Sequence, residues 1–174
     1  MSVRVGDKAP GFKVEGVFEG KFNKYSLDDL KGKWAVLFFY PLDFTFICPT
    51  EITAFSDRLS EFKALKAEVF GISTDSKFSH LAWIERDLKG LKYPLLSDNN
   101  HEVSRNYGVL IEDAGITYRG LFVIDPEGKV RYQLMHELSV GRNVDEVLRV
   151  LKALQTGELC PVNWEPGKKT LGKV

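Results

Sequence analysis

The run Trp34-Ala35-Val36-Leu37-Phe38-Phe39-Tyr40, closed by Pro41, constrains this chain more than any other stretch. An almost unbroken apolar and aromatic segment of this length suits a strand buried on both faces of a sheet. Pro41 has no N–H to give a neighbouring strand, so the chain leaves the sheet there. Pro49 marks the next change, because proline is favoured at the first position of a helix, where its missing donor would have had no partner anyway. From there Ile52, Phe55, Leu59, Phe62 and Leu65 recur at intervals of three and four. That stripe predicts one amphipathic helix from near Cys48 to near Lys66.

Cys48 therefore lies in or beside the first turn of a helix. The attacking form of a cysteine is the thiolate, and free amide donors at a helix N-terminus stabilise an anion. The helix end alone falls short. Bringing a thiol of ordinary pKa, about 8.5, down to about 6 requires roughly 3.4 kcal/mol, whereas a helix terminus supplies about 0.3 to 1, and about 2 in favourable partly buried cases. A cation nearby must make up the difference. Thr45, three residues earlier, has a hydroxyl that both donates and accepts, which is what steering a hydroxylic substrate requires. Taken alone, Cys48 fits a small buried hydrophobe equally well.

The rest of the chain alternates strands and helices. Short strands are expected at 12–18 and 21–25, with Ser26 capping a turn over 27–30. Further strands are expected at 68–73 and 93–96, and helices over Ser79 to Lys89, where Leu81, Ile84 and Leu88 keep helical spacing, and around 102–107. Asp125-Pro126-Glu127-Gly128 between 121–124 and 130–135 is the clearest hairpin. Asn143, with Glu146 three residues on, caps a helix whose stripe is Val144, Val147, Leu148, Leu151 and Leu154, closed by Gly157. Residues 158–174 read as an irregular tail carrying Cys160, mobile by virtue of Pro161, Pro166 and Gly167. The pattern predicts an α/β fold in one domain of ordinary size, residues 1–157, followed by that tail.

Lys plus Arg and Asp plus Glu each number 24 in 174 residues. A formal charge of zero argues against nucleic acid or an anionic membrane as the main partner. No apolar run approaches a membrane span, and residues 1–10 lack the apolar core of a signal peptide, so a cytoplasmic protein is expected. Two cysteines are too few for a disulfide scaffold and read as reactive or inert. His80, His101 and His136 stand apart from one another and from both cysteines. Without zinc spacing they read as surface or capping residues, and no metal is expected. Neither glycine fingerprint for nucleotides is present, so no flavin or nicotinamide is expected.

The sequence resembles the 2-Cys peroxiredoxins of the alkyl hydroperoxide reductase C and thiol-specific antioxidant type. The resemblance rests first on Pro41, Thr45 and Cys48 at the family's spacing, within Phe39-Tyr40-Pro41-Leu42-Asp43-Phe44-Thr45-Phe46 and Cys48-Pro49-Thr50-Glu51-Ile52. It continues through Arg119-Gly120-Leu121-Phe122-Val123-Ile124-Asp125, Val140-Gly141-Arg142, Val144-Asp145-Glu146 and Gly157-Glu158-Leu159-Cys160-Pro161 with Trp164. It implies a thioredoxin-like fold with N-terminal additions and a thiol peroxidase acting on hydrogen peroxide and organic hydroperoxides. Cys48 would be the nucleophile, with Thr45, Pro41 and Arg119 completing the catalytic set. Arg119 supplies the cation that the electrostatic shortfall calls for, and without the resemblance it reads as a solvated charge before a strand. Glu51 would orient Arg119, and Arg142 would act from behind. Cys160 would be the resolving cysteine, forming a disulfide with Cys48 of a second subunit. A homodimer, assembled into a decamer, and thioredoxin or a related dithiol reductant follow as partners.

The chain departs from peroxide-sensitive members, which carry a Gly-Gly-Leu-Gly insertion and a C-terminal Tyr-Phe pair. It has Lys89-Gly90-Leu91-Lys92 in the first region and no such pair. Resistance to overoxidation of Cys48 is therefore expected. Two other activities compete with the peroxidase: a holdase chaperone in higher assemblies, and a thioredoxin-like disulfide exchanger. The absence of a Cys-x-x-Cys pair counts against the exchanger.

Overall fold

The structure, a computed structural model, describes residues 3–173. It comprises two compact units, Met1–Arg142 and Asn143–Val174.

The first unit is built on a seven-stranded sheet of order β2-β1-β5-β4-β3-β8-β9. Its strands are β1 (Lys13–Phe18), β2 (Lys21–Ser26), β3 (Trp34–Phe39), β4 (Ala67–Ser73), β5 (Leu95–Ser97), β8 (Arg119–Ile124) and β9 (Val130–His136). β3 pairs in parallel with β4 and antiparallel with β8, which puts the apolar run at the centre of the sheet. The expected double burial holds. Ala35, Leu37 and Phe39 join Phe122, Tyr107 and Val109 in one core cluster, while Phe38, pointing to the other face, stacks on Phe55 at 4.5 Å and meets Tyr93 edge-on at 5.9 Å. The start of the chain is tied down too, since Gly6 and Ala9 donate to the Val130 and Gly128 carbonyls.

The helices of this unit are α1 (Cys48–Asp57), α2 (Leu59–Ala64), α3 (Lys77–Arg86) and α4 (Glu102–Asn106). The single helix expected from Cys48 to Lys66 is two. Arg58 takes φ −96°, ψ 7°, and its amide reaches both the Ala54 and Ser56 carbonyls, so the hydrogen-bond ladder tightens and restarts. The apolar stripe survives the break, with Ile52, Phe55, Leu59 and Phe62 all buried.

α3 starts earlier than the expected Ser79 because Ser76 caps it, accepting from the Ser79 amide at 3.2 Å. It buries His80 and Trp83, while Leu81 and Ile84 are only half-buried. A two-stranded ribbon of β6 (Leu110–Ile111) and β7 (Ile116–Thr117) has no counterpart in the expected elements. The capped 3-10 turn at Leu27–Leu30 and the hairpin through Asp125 to Gly128 form as expected, the hairpin strand beginning at Arg119 itself. Among the described residues, no helix is long and apolar enough to cross a membrane.

The second unit holds α5 (Val144–Thr156), whose N-cap Asn143 accepts from the Glu146 amide and whose closing Gly157 takes φ 64°. Among the described residues the tail after it has no helix or strand, yet it is tied rather than loose. Leu159 donates to the Gly172 carbonyl and receives from the Leu171 amide, each at 2.9 Å. Trp164 is buried, its carbonyl accepts from Arg149 and its indole donates to the Lys168 carbonyl.

Candidate active site

Cys48 is the first residue of α1, followed by Pro49, with Ile47 at the N-cap offering no side-chain cap. Pro49 has no amide to give and the Thr50 and Glu51 amides donate to the Ile47 carbonyl, so the helix end favours an anion at Cys48 through its dipole. The Cys48 side chain is fully buried, and its thiol is free.

Three charged side chains converge beneath it. Arg119 opens β8, opposite His136 on β9, and only 3% of it is exposed. Its Nη1 lies 3.5 Å from Cys48 Sγ and 2.7 Å from Glu51 Oε2, while its Nε donates to the Leu138 carbonyl at 2.8 Å. Glu51 follows Cys48 by three residues, which puts both on one side of the helix. Arg142 closes the set from below. Its Nε and backbone N–H reach Glu51 Oε1 and its Nη2 reaches Oε2, all at 2.8 Å. Its remaining nitrogen, Nη1, donates to the Phe39 and Gly120 carbonyls at 2.7 and 2.6 Å. The guanidinium also stands 5.2 Å from the centre of the Phe38 ring.

Burial opposes ionisation of Glu51. The Arg142 charge and hydrogen bonds, then the Arg119 charge, outweigh it and hold the carboxyl below its ordinary value. Two guanidiniums thus share one carboxylate, so among the described residues this cluster holds one more positive charge than negative. An anion at the Cys48 sulfur would balance the cluster, and that is the chemical sense of a thiol placed against Arg119.

Pro41 is buried directly after β3, where it ends the strand. Thr45 is half-buried, and its hydroxyl donates to the Leu42 carbonyl at 2.9 Å. Cys160 belongs to the second unit. It is free and half-buried, with Sγ 3.6 Å from Thr156 Oγ1 and 3.9 Å from the Ala153 carbonyl at the end of α5.

His80 corrects the expectation of a surface residue. It is fully buried, with Nδ1 against Asp43 and Nε2 against the Leu96 carbonyl. The signal for it was Tyr40, whose hydroxyl on a fully buried strand end demands a polar partner and finds Asp43 at 2.9 Å. Among the described residues no group of three or more His, Cys, Asp or Glu is placed to hold a metal ion.

Residues 5–133 match the AhpC/TSA family, and residues 153–173, which include Cys160, match the C-terminal domain of 1-Cys peroxiredoxin. The chain belongs to the AhpC/TSA family. This peroxiredoxin is 59% identical over 175 residues to the putative peroxiredoxin YkuU of Bacillus subtilis, covering 96% of this chain and 97% of that one. It is 53% identical to peroxiredoxin prdx-2 of Caenorhabditis elegans, over 96% of this chain and 88% of the relative. Among solved structures, the reduced 2-Cys peroxiredoxin of Plasmodium vivax superposes with a TM-score of 0.92 at 42% identity, over 95% of this chain and 91% of that one. AhpC of Mycobacterium bovis gives 0.87 at 40%, over 95% and 99%. The peroxiredoxin thus has the thioredoxin-like fold that the resemblance implied.

Proposed function

We propose that this peroxiredoxin reduces hydrogen peroxide and organic hydroperoxides with Cys48 as nucleophile. The thiolate attacks one peroxide oxygen, the O–O bond breaks, the leaving oxygen departs with a proton as water or alcohol, and Cys48 becomes a sulfenic acid. The Cys160 thiol then attacks that sulfur, expelling water and forming a disulfide. Thioredoxin or a related dithiol reduces the disulfide to two thiols and is itself oxidised. The observation that carries this reading is Arg119 Nη1 at 3.5 Å from Cys48 Sγ, braced by Glu51, at the start of α1.

In this reading Arg119 steadies first the sulfur anion and then the negative charge moving onto the leaving oxygen. Thr45 orients the substrate, Pro41 shields the sulfur from water, and Glu51 and Arg142 position Arg119. The working unit is a homodimer with Cys48 and Cys160 paired across subunits, assembled into a decamer in the cytoplasm. Residues 1–157 form the peroxidase domain and 158–174 the resolving tail. The 2-Cys names of its relatives support a part for the second cysteine.

The test is peroxide consumption coupled to a thioredoxin system, read beside non-reducing gels of wild type, Cys48→Ser and Cys160→Ser. Wild type is expected to turn over and to form a covalent dimer after peroxide, Cys48→Ser to do neither. Consumption retained by Cys48→Ser refutes the nucleophile. A wild-type disulfide that leaves the chain monomeric on the gel refutes the pairing across subunits alone.

A further inference from the structure

The loop 41–47 carries Thr45 and delivers Cys48 to α1, and it rests on a polar cluster that the chemistry above leaves without a task. Asp43, 6% exposed, accepts from the Tyr40 hydroxyl on Oδ1 at 2.9 Å and from the Ser79 hydroxyl on Oδ2 at 2.8 Å. His80 Nδ1 lies 2.8 Å from that Oδ2, and His80 Nε2 lies 3.1 Å from the Leu96 carbonyl. A carbonyl only accepts, so the contact with Leu96 is a hydrogen bond donated by Nε2. The Asp43 side chain is thereby held from β3 and α3 at once.

Its backbone is held separately. The Asp43 N–H donates to Asp75 Oδ2 at 2.9 Å, and the Ser73 hydroxyl steadies the same oxygen at 2.7 Å. The Asp75 backbone is fixed as well, its amide donating to Ser73 Oγ and its carbonyl receiving the Ser97 hydroxyl. Burial, then the Asp43 charge, raises the Asp75 carboxyl above its ordinary value, so this anchor is made at an electrostatic cost.

One peptide unit joins the cluster to the site. The Leu42–Asp43 peptide is planar, so fixing the direction of its N–H fixes the opposite direction of its C=O. That carbonyl is the one receiving the Thr45 hydroxyl, at 2.9 Å. The residue between, Phe44, is held at φ 56°, a left-handed conformation that costs a non-glycine residue on the order of 1 kcal/mol or more. Its ring lies 5.8 Å from Trp83 and 4.5 Å from the Arg86 guanidinium. A loop so strained keeps its shape only while its anchors hold.

We propose that Asp75 is a positioning residue for the peroxide reaction, orienting the Thr45 hydroxyl through the Leu42–Asp43 peptide. The inference rests on Cys48 being the residue that peroxide oxidises. It separates two properties of the site, because the Arg119, Glu51 and Arg142 cluster shares no hydrogen bond with Asp75. Loss of Asp75 disturbs substrate orientation and leaves the reactivity of the sulfur in place.

The experiment compares the single-turnover rate with hydrogen peroxide and the rate of Cys48 alkylation by iodoacetamide, in a Cys160→Ser background. Asp75→Ala is expected to slow the peroxide step roughly tenfold or more while alkylation changes less than about threefold. Asp75→Asn keeps an acceptor for the Asp43 N–H and restores the peroxide rate to within about threefold of the parent. In a Thr45→Val background Asp75→Ala costs no more than about twofold, since there is no hydroxyl left to orient. If Asp75→Ala does not fold, Ser73→Ala carries the same comparison with an effect of about threefold. A parent that does not react with peroxide overturns the reading of Cys48. A reactive parent matched by Asp75→Ala, a parallel loss of alkylation, or an undiminished effect without the Thr45 hydroxyl overturns the role of Asp75.

Discussion

Arg142 grips Glu51 in the bidentate geometry of a guanidinium and a carboxylate, Nε on Oε1 and Nη2 on Oε2, each at 2.8 Å, inside a site that excludes water. Removing it leaves Glu51 with one cation and strips donors from the Phe39 and Gly120 carbonyls. Arg142→Met is expected to lower stability by about 3 kcal/mol or more, the cost of depriving Glu51 Oε1 and the Phe39 and Gly120 carbonyls of a buried donor at about 1 to 3 kcal/mol each. Urea denaturation checks this, and a loss below about 1 kcal/mol would deny the pair its structural part.

Acid stability follows from the same carboxylate. Glu51 ionises below the ordinary glutamate value of 4.5 in the folded chain. An unfolded chain therefore binds the proton first, so the Glu51 contribution is fully present above pH 4.5 and drains away as pH falls below it. Glu51→Gln is expected to be less stable at neutral pH and to show a flatter decline on the acid side. Stability measured from pH 7 to pH 3 in both proteins checks the slope.

Gly120 is fixed by close approach. A Cβ there would stand 2.5 Å from Val109 Cγ1, and Gly120 lies next to Arg119 with its carbonyl on Arg142. Gly120→Ala is expected to cost about 1 to 3 kcal/mol by overpacking. Val109→Ala in the same chain opens the space and is expected to recover part of that loss, a coupling that a double-mutant cycle measures.

In the second unit, Trp164→Ala removes a buried ring and the indole donor to Lys168. The hydrogen bonds from the Leu159 amide to the Gly172 carbonyl and from the Leu171 amide to the Leu159 carbonyl hold the segment next to Cys160, so these two amides are expected to exchange faster, by about tenfold or more. Alkylation of Cys160 should accelerate with them. Amide exchange read residue by residue checks the coupling.

What the sequence made legible was local. A continuous apolar run marked β3, Pro41 and Pro49 bracketed the loop between strand and helix, and Cys48 fell at the start of α1 as the spacing required. The need for a cation was legible from energetics alone. Which cations answer it came from the resemblance alone, because Arg119 and Arg142 lie 68 and 91 residues from Glu51 and only the fold brings them together. α3 was misjudged because two stripes compete on it: Leu81 and Ile84 keep helical spacing with Leu88, which is buried beyond the helix end, yet on the helix itself His80 and Trp83 are what the fold buries. A histidine on the losing stripe read as surface, and the polar cluster under Thr45 went with it. The β6–β7 ribbon has strands of two residues, too short to show any period.

The account depends on Arg119 making Cys48 reactive. The most direct measurement is the single-turnover rate of hydrogen peroxide with Cys160→Ser protein, with and without Arg119→Met, the fold of each verified by circular dichroism. Loss of the Arg119 donor is expected to slow the reaction about 100-fold or more, as removal of one transition-state donor does elsewhere. Equal rates in the two folded proteins would contradict it.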